Sequence, residues 1–138
     1  MKKIFKMLFY SLTILSLCLV CSSCDNESFN SVEDDFNKSL IYGSWHCVTT
    51  ETSEYLTMTI EVIWSFSANN VASQQVIATL NDYPFNNKTN SFSYVYNKDN
   101  TITFTNANNK VWTYEITVNG NYMKLGNVED GYWELTKM

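Results

Sequence analysis

His46 and Cys47 are the first residues of this chain whose types could do chemistry, because a thiol beside an imidazole can make a nucleophile or a metal site. His46 is also the only histidine. The two are neighbours in a stretch that reads as a strand, and neighbouring strand side chains point to opposite faces. The expectation is therefore an outward His46 at the surface beside an inward Cys47 in the core. A carboxylate pair for acid–base work needs enclosure and perturbed proton affinities. Glu61, Glu115 and Glu134 all fall at outward positions on separate strands, where solvation accounts for them. Asp99-Asn100 and Glu129-Asp130 offer oxygens to calcium, but both pairs lie in turn sequences and read as turn residues. No phosphate-cradling loop, zinc spacing or nucleophile elbow occurs. The chain is expected to be non-enzymatic, with no catalytic residue, metal or cofactor.

One constellation stands above this background, and it is aromatic. Trp45, Trp64, Phe66, Phe92, Tyr94, Tyr96, Phe104, Trp112, Tyr114 and Trp133 all fall at inward positions. Large rings fill an interior well, and that alone accounts for many of them. The third apolar run departs from this, with inward Ala72, Gln74, Val76 and Ala78. Small residues make room, and a buried Gln74 needs a hydrogen-bond partner. The candidate ligand-binding set is Trp64, Gln74, Ala78, Tyr94, Tyr96, Trp112 and Tyr114, with the tyrosine hydroxyls available to an apolar or ring-shaped ligand.

The elements that must position these residues are strands. From Tyr55 to Phe66 every even position is apolar, while the odd positions are mostly Thr, Glu and Ser. That period of two predicts one long strand with one dry face. The same parity recurs downstream and predicts eight strands, at Ser44–Thr52, Tyr55–Phe66, Val71–Leu80, Ser91–Asn97, Thr101–Thr105, Lys110–Val118, Tyr122–Gly126 and Tyr132–Met138. Most connections are short and rich in Asn and Gly, which tolerate the positive φ of hairpin turns. Asn81 to Asn90, with the sole proline Pro84, is expected to be a long connection. Sequential strands joined by short turns make a meander. One dry face across eight antiparallel strands closes either as a barrel or as a two-sheet sandwich. Eight strands in a barrel leave an interior that is filled or holds one small ligand.

The N-terminus stands apart. Lys2, Lys3 and Lys6 precede an uncharged, mostly apolar run from Met7 to Cys21, too short to span a bilayer comfortably. Cys21-Ser22-Ser23-Cys24 follows. This resembles a bacterial lipoprotein signal peptide, although Cys21 stands where Leu is usual. The resemblance implies cleavage of residues 1–23, lipidation at Cys24, and a place in the cell envelope, at the outer membrane, on the periplasmic face or the cell surface. Beyond the leader, six lysines face fourteen acids with no arginine, a formal charge of −8. Such a chain is a poor partner for nucleic acid or an anionic membrane surface. With Cys18 and Cys21 lost and Cys24 acylated, Cys47 alone keeps a thiol, which excludes a disulfide in the expected monomer. Residues 24–40 read as an acidic tether. Within it Ser31 and Asp34 form a weak capping box, and Val32, Phe36 and Leu40 share one helical face, which predicts a short helix.

Gly43-Ser44-Trp45 sits at the start of the first strand, after that short helix. It resembles the Gly-x-Trp motif that opens lipocalin-like barrels, where the Trp plugs the closed end. Trp112 to Ile116 and Tyr132 to Lys137 resemble the closing strands of small lipocalin-like lipoproteins. The chain lacks a Thr-Asp-Tyr loop, and Lys137 stands where an Arg would stack on the Trp. The resemblance covers residues 41–138. It implies a lipocalin-like lipoprotein domain, an all-β, eight-stranded antiparallel up-and-down barrel, of a kind mostly without an assigned function. The small inward residues of the third strand, facing the rings, give the first reading: a lipid-anchored barrel that binds a small apolar or aromatic ligand. The alternative is a filled barrel that binds protein or glycan through the 81–90 loop, with Tyr83 and Phe85 exposed, or that inhibits a secreted enzyme.

Overall fold

The computed structural model describes residues 37–138. The leader, Cys24, and the tether to residue 36, with Ser31, Val32 and Phe36, lie outside the described residues. The chain enters through a helical turn over 37–40. Eight strands follow: β1 (Gly43–Thr52), β2 (Thr57–Phe66), β3 (Val71–Leu80), β4 (Tyr83–Tyr96), β5 (Thr101–Thr105), β6 (Val111–Asn119), β7 (Tyr122–Asn127) and β8 (Gly131–Lys137). Each is antiparallel to the next in chain order, and β8 returns to β1, so the sheet is a closed up-and-down barrel rather than a sandwich. The alternation in β2 does what it predicts. Val62, Trp64 and Phe66 are buried, while Glu61, Ile63 and Ser65 between them reach partway to solvent.

The turns follow from side-chain chemistry. Asn70, Asn81, Asp82, Asn100 and Asn109 all take positive φ, the conformation Asn and Asp tolerate best among residues with a Cβ. Asn106 fixes its turn by accepting from the backbone N–H of Asn108 at 2.9 Å and of Lys110 at 3.0 Å. Gly126, at φ 149°, lies so close to β8 that a Cβ there would meet the Gly131 carbonyl oxygen at 2.1 Å.

Two expected boundaries are corrected. The 81–90 stretch is not a long connection. Asn81 and Asp82, at φ 49° and 65°, make a tight turn, and β4 begins at Tyr83. The turn is pinned where the Asn81 side-chain oxygen accepts from the Thr57 N–H at 2.8 Å. This half of β4 shows no alternation because Tyr83 to Thr89 are all exposed, so neither face is dry. Pro84 is tolerated because β5 pairs only from Ser93 onward, which leaves this half an edge, and a register shift after Ala78 leaves a bulge beside it. The second correction is at β2, which begins at Thr57. Tyr55 and Leu56, expected on the strand, belong to the β1–β2 connection and are 79% and 51% exposed.

The closed end is a finished core. Ile41 and Trp45 are fully buried, and the Trp45 indole N–H donates to the Ile41 carbonyl at 2.7 Å. Lys137 Nζ stands 5.1 Å from the Trp45 ring centroid and covers its face.

Candidate ligand site at the open end

Up-and-down winding sends the connections 67–70, 97–100 and 120–121 to the end plugged by Trp45, and 53–56, 81–82, 106–110 and 128–130 to the other. The two halves of the barrel differ in height there. β1, β2 and β3 have 10 residues each and β4 has 14, whereas β5, β6, β7 and β8 have 5, 9, 6 and 7. β8 pairs with β1 only at Trp45 and His46, and β5 pairs with β4 only over Ser93–Tyr96. The wall β1–β4 therefore projects past the wall β5–β8.

The registers place the inward residues of the long wall in rows. Trp45, Trp64, Gln74 and Asn90 form one row, Cys47, Val62, Val76 and Lys88 the next, and Thr49, Ile60, Ala78 and Asn86 the third, with Met58 and Leu80 beyond. The middle of each outer row is apolar, and its ends are polar. In these outer rows Val62 and Ala78 are buried, Cys47, Ile60 and Val76 are partly so, and Asn86 and Lys88 are exposed.

Below them lies a bed of rings. Trp64 packs on Phe66 (centroids 6.0 Å apart), Phe92 (5.8 Å), Phe104 (5.2 Å) and Trp133 (5.6 Å). Trp112 meets Phe92 edge-on at 5.1 Å and stacks on Phe104 at 5.6 Å. Tyr114 joins through Phe104 and Trp133 at 5.8 and 5.7 Å. Trp64, Phe104 and Tyr114 are buried, whereas Phe92, Trp112 and Trp133 are only partly so. These three rings take inward positions, and Phe92 and Trp112 stand beside the rim where β5 and β6 meet the 106–110 turn.

No protein-family model, no curated protein and no solved structure matches this chain. The site's own geometry carries the functional argument. Of the residues the sequence singles out, the structure gathers Trp64, Gln74, Ala78, Trp112 and Tyr114 around the mouth. Ala78 is buried between its register neighbours Ile60 and Asn86. Tyr94 and Tyr96 go elsewhere. Their parity is inward, but they sit at the closed end, where the Tyr94 hydroxyl donates to the Ser67 carbonyl at 2.7 Å and the Tyr96 hydroxyl reaches Asn100 Oδ1 at 3.5 Å. Burial, with Tyr42 nearby, pushes the Tyr94 phenol up to about 12. Burial also raises the Tyr114 phenol, which gives a hydrogen bond to Asp130 in the β7–β8 turn. Gly43 and Trp45 are at the base.

The other residues whose types could do chemistry are placed as follows. His46 faces out and meets Glu61 at 3.1 Å, while Cys47 faces in, its thiol raised mainly by burial. Glu115 accepts from the Tyr132 hydroxyl at 2.6 Å on the outer surface. Among the described residues no group of three His, Cys, Asp or Glu side chains could hold a metal ion. Sequence reading missed Asn86, Lys88 and Asn90 as inward residues, because it placed them in a loop. It also had no signal for one atom. Trp64, 1% exposed, carries an indole Nε1 with no hydrogen-bond partner.

Proposed function

We propose that this chain is a lipid-anchored, lipocalin-like binding protein of the cell envelope, whose open barrel end holds one small apolar or aromatic ligand. The observation that carries the reading is the inward apolar strip of Ile60, Val62, Val76 and Ala78, in which Ile60 and Val76 stay partly exposed while Val62 and Ala78 are buried, together with the partly exposed Phe92, Trp112 and Trp133. A concave apolar surface with a few polar groups at its edge suits a small ligand. Removing such a strip from water contributes about 25 cal/mol per Å². The Trp45 plug, with a cation over its face, supports the lipocalin-like part. The basic leader, Ser22-Ser23-Cys24 and the acidic tether support the anchor.

The test is saturable quenching of tryptophan emission by naphthalene, repeated with Ala78→Phe. Ala78 is buried beside the partly exposed Ile60 and Val76, so the added ring takes the space that a ligand would fill. Ala78→Phe is expected to fold with little change in melting temperature and to abolish the quenching. If naphthalene does not bind and Ala78→Phe costs the ~1–3 kcal/mol of an overpacked core, the ligand reading is wrong. For the anchor, Cys24→Ala is expected to release the protein from membranes on fractionation.

A second reading has one observation in its favour. Tyr55, Tyr83 and Phe85 stand 79%, 77% and 67% exposed at the same end, the profile of a rim that touches a protein or glycan. A partner whose binding survives Ala78→Phe but not Tyr83→Ala would favour it.

A further inference from the structure

Asn86, Lys88 and Asn90 take inward positions on the half of β4 that has no β5 neighbour. The register beside them fixes the facing. Gln75 on β3 pairs with Asn87 on β4, and the Gln75 amide donates to Asn87 Oδ1 at 3.0 Å on the exposed outer surface. Lys88 and its own register partner Val76 therefore face the other way, into the barrel. Lys88 is exposed there, and among the described residues its ammonium has no carboxylate and no hydrogen-bond acceptor. The side chains of Asn86 and Asn90, each about 7 Å away along the strand, are unpartnered as well. A lysine that needs only water sits best on an outer face. Here the outward positions of the same stretch, Asn87, Thr89 and Ser91, are neutral, and the charge stands at the border of the apolar strip. Val76 is its neighbour, and Ile60 is one strand and one row away, both partly exposed. The carboxylates of this end lie elsewhere. Glu51 is on β1, Glu54 and Asp82 are in the turns, and Asp130, beyond β7, is engaged by the Tyr114 hydroxyl.

We infer that the ligand is an apolar acid, a carboxylate on a ring or short hydrocarbon body, and that Lys88 is its counter-charge. This rests on the ligand reading proposed above and narrows it. The apolar body lies on Val76 and Ile60, and the carboxylate turns toward the free edge of β4, where the Asn86 and Asn90 amides can also donate to it. The acids at the other points of the rim repel a carboxylate, so one orientation is favoured. An ion pair this exposed adds only a few-fold in affinity. Lys88 thus selects among apolar ligands, and the strip supplies the binding.

The experiment compares naphthoate with naphthamide, which has the same shape and no charge, by tryptophan quenching of the full chain. Naphthoate is expected to bind about fivefold more tightly, and that difference to shrink in high salt. Lys88→Gln is expected to abolish the preference and leave the affinity for naphthamide unchanged, while Lys88→Arg keeps the preference. Because Lys88 is exposed, both variants are expected to melt as the native chain does. Equal affinities in the native chain, or a preference that survives Lys88→Gln, would overturn the inference. So would self-association of Lys88→Gln with the preference intact, since an inward charge also guards a free strand edge. In each of these cases saturable quenching by naphthalene leaves the ligand reading standing. If naphthalene, naphthoate and naphthamide all fail to bind, the two fall together.

Discussion

Trp45 and Trp64 are register partners on β1 and β2, and are equally removed from water at 0% and 1% exposure. The first donates its indole N–H to Ile41 and lies under Lys137. The second donates to nothing. The same division runs through the barrel. At the base, Tyr94 has its Ser67 acceptor, and the Met138 N–H donates to the Ser44 carbonyl at 2.9 Å. At the mouth, Ile60 and Val76 stay partly exposed. The pair teaches that burial alone does not define a finished core. One indole has an acceptor in the fold, and the other has none.

The largest effect that would break this comparison comes from removing Tyr132 to Met138. That deletes Trp133 and the fully buried Leu135, and leaves β1 and β7 each with one open edge. Each such side chain contributes about 1.5–3 kcal/mol against a total stability of about 5–15 kcal/mol. The shortened chain is expected to unfold or aggregate, and retention of a wild-type melting curve would mean that the seam is dispensable. A subtler effect separates the two indoles. Trp45→Phe and Trp64→Phe remove the same atoms, but only the first strands a buried acceptor. Trp45→Phe is expected to be the more destabilising by about 1–3 kcal/mol in urea denaturation. Equal losses would mean that the two sites do not differ.

The smallest expected effect is a pH dependence at the base. A free tyrosine ionises near 10, and Tyr94 in the fold at about 12. The unfolded chain thus loses this proton first as the solution becomes alkaline. The contribution of Tyr94 is complete below about pH 10 and is lost as pH rises through about 12. Tyr94→Phe should flatten part of the fall in stability between those values, and denaturation of both forms at either end of the window checks it.

Much of this was legible in the sequence. The period of two in β2, the Asn-rich turns and the inward parity of the rings predicted eight strands and their dry face. The half of β4 before Ser93 was not legible, because an exposed edge strand has no face to keep dry and so no alternation to show. That miss hid Asn86, Lys88 and Asn90. Parity also says which face a side chain takes but not how high it stands in the barrel. Tyr94 and Trp112 looked equivalent on that count, yet one is under the base turns and the other near the mouth. The unpaired indole of Trp64 depends on what four neighbouring rings fail to offer, and no local pattern encodes that.

The β1–β8 seam has a consequence in time. Every other ladder joins strands consecutive in the chain, and these can zip as local hairpins. The seam instead brings Trp45 to Lys137, and its reward is two residue pairs and a lysine over a ring. Closing so long a loop is the slowest contact to win, since its entropy cost grows with loop length. Refolding should therefore pass through an open, curled ribbon in which the hairpins are already slow to exchange their amides. The amide of His46, which faces β8, would become protected last, and until then the Trp45 plug has no cation to cover it.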